Sequence, residues 1–156
     1  MGIPHSGILN AIPNYRLKAI CEKEGLLVKV VKTFLPKTTP TYADYLDMLE
    51  RESLEAVFVT PIHANGPIIT DVARSGRDIS VFVEKPLTST DREAPSAYDA
   101  LGGLREINMV GYQKRFSPVF QRAREYLGER SIGDLLLFRP YSFSSDVLRR
   151  GNPWRF

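Results

Sequence analysis

Apolar positions along the chain alternate between two spacings, and that alternation predicts most of the secondary structure. Ile8, Ile12 and their neighbours suggest a short helix stopped near Pro13-Asn14. RLKAIC at 16–21 alternates and is β-prone, which predicts a strand. Leu26, Leu27, Val30, Val31, Phe34 and Leu35 recur at helical spacing and predict an amphipathic helix closed by Pro36. Tyr45, Leu46 and Leu49 predict another short helix over 43–51. AVFVTP at 56–61 is a continuous apolar run, as in a strand covered on both faces. A helix over about 66–75 follows, with Gly76 placed as its C-cap. ISVFVE (79–84) is a second buried strand, a helix near 91–101 ends at Gly102-Gly103, and INMVGY (107–112) is a third strand. A helix at 117–128 and a longer strand, LLLFRPYSFSS (135–145), complete the pattern.

Strands alternating with helices at this spacing predict βαβ units, and so an α/β fold with a doubly wound, Rossmann-like parallel sheet. The stretch around 112–118 is a domain boundary on this reading. The last strand is longer, carries aromatics and suits an open antiparallel sheet, so a second domain of α+β type would begin there.

Composition narrows the class. At 156 residues, 43% hydrophobic and 25% charged, the chain is of ordinary globular make-up. Its net charge of +3 comes from 21 Lys and Arg spread without runs, which argues against a nucleic-acid partner. A single cysteine, Cys21, excludes an internal disulfide framework, fits a reducing compartment and reads as a small core residue. No stretch nears the roughly 18 apolar residues of a membrane span, and the first residues lack the pattern of a signal peptide. A cytoplasmic protein without a membrane partner is expected. No Cys/His cluster has metal-ligand spacing.

In open parallel sheets ligands bind beyond the carboxyl ends of the strands. Four such ends can be read: Glu22 after the first strand, Thr60-Pro61, Glu84-Lys85-Pro86, and the segment from Tyr112 to Phe116. Each has an ordinary alternative. A strand-end Glu-Lys is commonly a solvated ion pair, a Thr-Pro is commonly a simple turn, and Arg115 could bind an acidic partner across the domain junction.

Taken together, VTPIH, SGRDISVFVEKPL and VGYQKRFSPVF resemble the Gfo/Idh/MocA family of glucose–fructose oxidoreductases and inositol dehydrogenases. The family pattern is a TP turn, a helix ending in glycine, a strand ending in EKP and a strand ending in GY-x-x-RF-x-P, and all four occur in order. The resemblance implies an NAD(P)-binding Rossmann-like domain over 1–114 and the start of a substrate and oligomerisation domain over 115–156. Gly2 and His5 stand at the spacing of the last glycine and a following histidine of the G-x-G-x-x-G fingerprint. On this resemblance the chain lacks the first strand and the first two glycines of the fingerprint, and it stops before the family's Asp-x-x-x-His pair.

What the resemblance implies is a dehydrogenase that takes hydride from a sugar, inositol or similar polyol and works as a homo-oligomer. Lys85 would be its functional lysine, polarising a substrate oxygen from a partly desolvated position. Pro86 would fix the turn, and Glu84 would lie near the nicotinamide ribose. Gly2 would serve the phosphates, Glu22 the adenosine ribose, and Thr60 and Pro61 the cofactor cleft. Arg115, Trp154 and Arg155 would reach cofactor or substrate. A carboxylate at Glu22 repels a 2′-phosphate and favours NAD, while Lys23 beside it keeps NADP open. The family often has His where Asn65 stands; His63 comes two positions early and reads as a turn residue, and His5 as helix packing. A non-catalytic nucleotide-binding or interaction module derived from such an enzyme is the alternative, and without the full phosphate loop and the later histidine little or no turnover and weak or absent NAD binding are expected.

Overall fold

The computed structural model describes residues 2–61 and 65–141. The chain folds as two compact units divided after Tyr112. The first runs α1 (Gly2–Ala11), β1 (Ile20–Cys21), α2 (Gly25–Phe34), β2 (Thr41–Tyr42), α3 (Tyr45–Arg51), β3 (Ala56–Val59), α4 (Asn65–Arg74), β4 (Ser80–Val83), α5 (Ala94–Gly102) and β5 (Asn108–Val110).

Strands β3, β4 and β5 lie side by side in chain order, all parallel, with Val57 opposite Val81, Phe58 opposite Phe82 and Val59 opposite Val83. Successive strand residues face opposite sides, so one face of the sheet carries valines and the other phenylalanines. The valine face packs on α4 and α5, where Ile69, Val72, Ala97 and Leu101 complete the buried core. On the other face α1 lays His5 against the aromatic pair. Its ring centroid lies 6.1 Å from Phe58 and 5.3 Å from Phe82, and the two phenylalanine rings stack at 5.1 Å. Helices on both faces explain the unbroken apolar run of β3. Gly76, with φ of +66°, closes α4 in the left-handed region that a Cβ disfavours.

A second parallel pair, β1 with β2, stands as its own two-stranded sheet, with Ile20 opposite Thr41 and Cys21 opposite Tyr42. The expected strand at 16–21 is cut to its last two residues, because a ladder extends only as far as its partner. That partner, β2, is itself too short to show a period. Helix α2 forms as expected, but it buries only Val31; Leu26 is 74% and Phe34 71% exposed. Cys21 is half-buried, not deep in the core, and burial pushes its thiol pKa up.

Polar contacts fix α3. Asp44 caps it by accepting the Leu46 N–H at 2.9 Å. The Arg77 guanidinium donates to the Leu49 and Glu52 carbonyls at its other end, where a helix leaves acceptors without partners. Tyr45 donates its hydroxyl to Asp71 Oδ2 at 2.7 Å, tying α3 to α4, and this bond pushes the tyrosine pKa up to about 12.

The folded chain therefore keeps a proton that the unfolded chain, with a tyrosine near pH 10, has lost by about pH 11. The contribution is whole below about pH 10 and disappears as pH climbs toward 12. Thermal unfolding at about pH 9 and about pH 11 should show a steeper loss for the native chain than for Tyr45→Phe. Parallel losses would contradict the assignment.

The second unit opens with a 3-10 turn, Gln113–Phe116, followed by α6 (Pro118–Gly128). Arg122 pairs with Glu125 at 2.7 Å and lies 4.4 Å from the centre of the Tyr126 ring. The strand expected at 135–145 does not form over 135–141, where Leu136 is 94% exposed. An apolar, β-prone run becomes a strand only beside another strand, and none neighbours it among the described residues. Residues 142–145 of that expectation lie outside the described residues. No helix among the described residues is long and apolar enough to cross a membrane.

Candidate functional site

The carboxyl ends of β3 and β4 bring the sequence-predicted residues together. Thr60 follows β3 directly and is half-buried, with Pro61 exposed after it. Glu84 continues the ladder, its N–H donating to Val59 O at 2.8 Å, and its residue is only 9% exposed. Lys85 and Pro86 then turn away through a cis peptide, Lys85 exposed and Pro86 half-buried. The partial desolvation expected for Lys85 is not supplied by the described residues of this chain.

Glu84 is the organising side chain. Its Oε1 accepts from His5 Nε2 at 2.8 Å, which places the imidazole proton on Nε2, and its Oε2 accepts the Lys85 backbone N–H at 3.2 Å. Both oxygens are thus held from inside the protein, and each keeps a second lone pair. His5, read from sequence as helix packing, does pack on the phenylalanines, and it also orients this carboxylate.

Gly2 opens α1 beside the tip of β3. A Cβ added there would lie 3.2 Å from Thr60 Oγ1, so any larger residue would have to shift that hydroxyl. The first turn of α1 carries no acidic residue, and Gly2 and Ile3 bring backbone N–H groups to it ahead of Pro4, an arrangement of the kind that suits a phosphate. Glu22 lies on the other sheet, just after β1. There Oε1 accepts the Glu24 N–H at 3.0 Å and orders the turn into α2.

Arg115 belongs to the 3-10 turn of the second unit. His63, Trp154 and Arg155 lie outside the described residues. Two hollows occur on the described surface away from the strand tips, one lined by Lys32 and residues 35–41, the other by α6 residues from Pro118 to Tyr126. Among the described residues no group of three His, Cys, Asp or Glu could hold a metal ion.

Two residues received no role from sequence. Gly111, at the end of β5, donates its N–H to Val83 O at 2.7 Å. A Cβ there would lie 3.0 Å from Phe82 Cζ, closer than side chains ordinarily pack, so glycine lets the strand end lie against that ring. Asn65, at the start of α4, is 1% exposed and faces the Glu84–Pro86 turn. Their sequence signals were the glycine of the GY-x-x-RF-x-P motif and the position where the family often has His, and neither signal said what the residue touches.

Comparison with known proteins points one way. No protein-family model matches the chain. Levoglucosan dehydrogenase of Pseudarthrobacter phenanthrenivorans is 31% identical over 117 residues, covering 73% of this chain and 30% of the relative. The scyllo-inositol 2-dehydrogenase (NAD(+)) of Bacillus subtilis is 31% identical over 100 residues, or 64% of this chain and 29% of the relative. The crystal structure of scyllo-inositol dehydrogenase from Lactobacillus casei, with bound NAD(H) and scyllo-inositol, superposes with a TM-score of 0.74 at 21% identity, covering 85% of this chain and 39% of that one. The chain thus spans about three-tenths of the length of these curated relatives.

Proposed function

We propose that the chain is a Gfo/Idh/MocA-type oxidoreductase and carries the nucleotide-binding part of an NAD-dependent dehydrogenase acting on a sugar, inositol or similar polyol, a reading supported by its 31% identity to two curated dehydrogenases. The observation that carries this reading is that α1 meets two adjoining strand tips, Gly2 beside Thr60 after β3 and His5 on Glu84 after β4, with Lys85 next in the chain. On this reading residues 1–114 bind the cofactor and 115–156 begin the substrate and oligomerisation domain. The protein works as a cytoplasmic homo-oligomer, without nucleic-acid or membrane partners.

Each residue has a task in that chemistry. Gly2 leaves the first turn of α1 clear for a phosphate, and Thr60 and Pro61 line the way to the nicotinamide end. Glu22 accepts from ribose hydroxyls, and Glu84 offers its remaining lone pairs in the same manner. Lys85 aims an ammonium at the substrate oxygen where negative charge develops as hydride leaves the neighbouring carbon. Pro86 holds the turn. When bound, the nicotinamide supplies the hydride acceptor.

NADH fluorescence titration tests the cofactor assignment. Saturable binding weaker than micromolar is expected, with NADPH weaker still because Glu22 repels its extra phosphate. Glu22→Ala should narrow the gap between the two. A folded chain with no saturable NADH binding would overturn the proposal.

A further inference from the structure

We propose that Asn65 is a positioning residue for Lys85. Its amide Nδ2 donates to Glu84 O at 3.1 Å and to Pro86 O at 2.8 Å, the two carbonyls that flank Lys85 in the chain. One primary amide nitrogen carries two hydrogens, one for each acceptor. The reversed amide would set Oδ1 against two carbonyl oxygens, so the partners themselves fix the orientation. These bonds differ from a helix cap. A cap accepts from its own helix through oxygen, whereas Asn65 donates out of α4 into the turn.

The turn is restrained from its other sides as well. Glu84 N–H is in the ladder with Val59 O, and Lys85 N–H is held by the Glu84 carboxylate, itself held by His5. With backbone groups before, at and after Lys85 all engaged, the direction in which its side chain leaves the sheet is set, and only the side-chain torsions stay free. Asn65 supplies the anchors on both sides from one buried nitrogen. The inference deepens the dehydrogenase reading and rests on it for its consequence, though the geometric claim can be judged alone.

Amide hydrogen exchange on the full chain, read residue by residue by NMR, tests it. Asn65→Asp removes both donors and sets a carboxylate against two carbonyls. It should speed exchange at the Lys85 amide about tenfold or more, the loss of one good hydrogen bond's protection, while leaving the Gly111 amide unchanged. Gly111 reports the neighbouring β4–β5 ladder through its bond to Val83 O. Asn65→His keeps one donor and should fall between. It also decides the matter if Asn65→Asp fails to fold.

Equal acceleration at Lys85 and Gly111 would make Asn65 a general structural support and overturn the proposal, as would an unchanged Lys85 amide in a folded variant. In turnover, loss of the positioning in Asn65→Asp should lower kcat with little change in cofactor affinity. Failure of the native chain to bind NADH would count against the dehydrogenase reading alone, since the exchange result stands without it.

Discussion

In a catalytically active form of the protein, on the dehydrogenase reading proposed above, replacing Lys85 with alanine is expected to lower hydride-transfer turnover by about a hundredfold to ten-thousandfold while NADH affinity stays within about twofold. The split follows from where charge appears. In the ground state the substrate oxygen is a neutral hydroxyl, and an ammonium gains little from it. As hydride departs the oxygen becomes alkoxide-like, and a donor already aimed at it acts on that state selectively. Stability should barely change, because Lys85 is exposed and its own side chain makes no hydrogen bond among the described residues; exposed substitutions of this kind shift stability by about 0.5 kcal/mol or less. A fall in turnover therefore could not be blamed on unfolding. Steady-state kinetics beside an NADH titration would decide. Equal losses in turnover and affinity would reduce Lys85 to a cofactor clamp.

The largest effect on stability is expected at Ile69, where substitution by alanine should cost about 2–5 kcal/mol. Ile69 has no exposed surface, and it closes the core between α4, α5 and the valine face of the sheet. Truncation loses the transfer free energy of the missing carbons and leaves a cavity that rigid strands on one side cannot collapse into. Against a domain stability of about 5–15 kcal/mol, the loss would be a large fraction of the whole. Ile107, 72% exposed just before β5, provides the contrast, since its alanine variant should stay within about 0.5 kcal/mol of the native chain. Urea unfolding followed by circular dichroism measures both, and a cost at Ile69 below about 1 kcal/mol would mean the core is looser than its packing implies.

The apolar pattern carried the fold a long way because the strands of the three-stranded sheet are covered on both sides. AVFV and SVFV had to be unbroken, since valines face α4 and α5 while phenylalanines meet His5. Gly76 was equally readable, as its role depends on one backbone torsion. The pattern misled where a segment depends on a distant partner. Residues 135–141 are as apolar as any strand yet form none, and β2 formed although too short to show alternation.

Site residues followed the same divide. Glu84 and Lys85 stood out in the sequence because charges ending a buried strand are conspicuous. His5, Asn65 and Gly111 became recognisable only through contacts spanning 79, 19 and 27 positions with Glu84. Nothing near each of them in the chain marks such a contact.

By itself the sequence determined the α/β class, the order of elements from α3 to β5 and the family resemblance, since hydrophobic period and short ordered motifs are local properties written directly in the residues. Tertiary structure alone decided that the Glu84 carboxylate is held by His5 and the Lys85 amide, that Asn65 brackets Lys85, and that Gly111 lies tight against the Phe82 ring. Hydrogen-bond partners and steric clearances exist only once strands far apart in the chain lie 5 Å or so from each other.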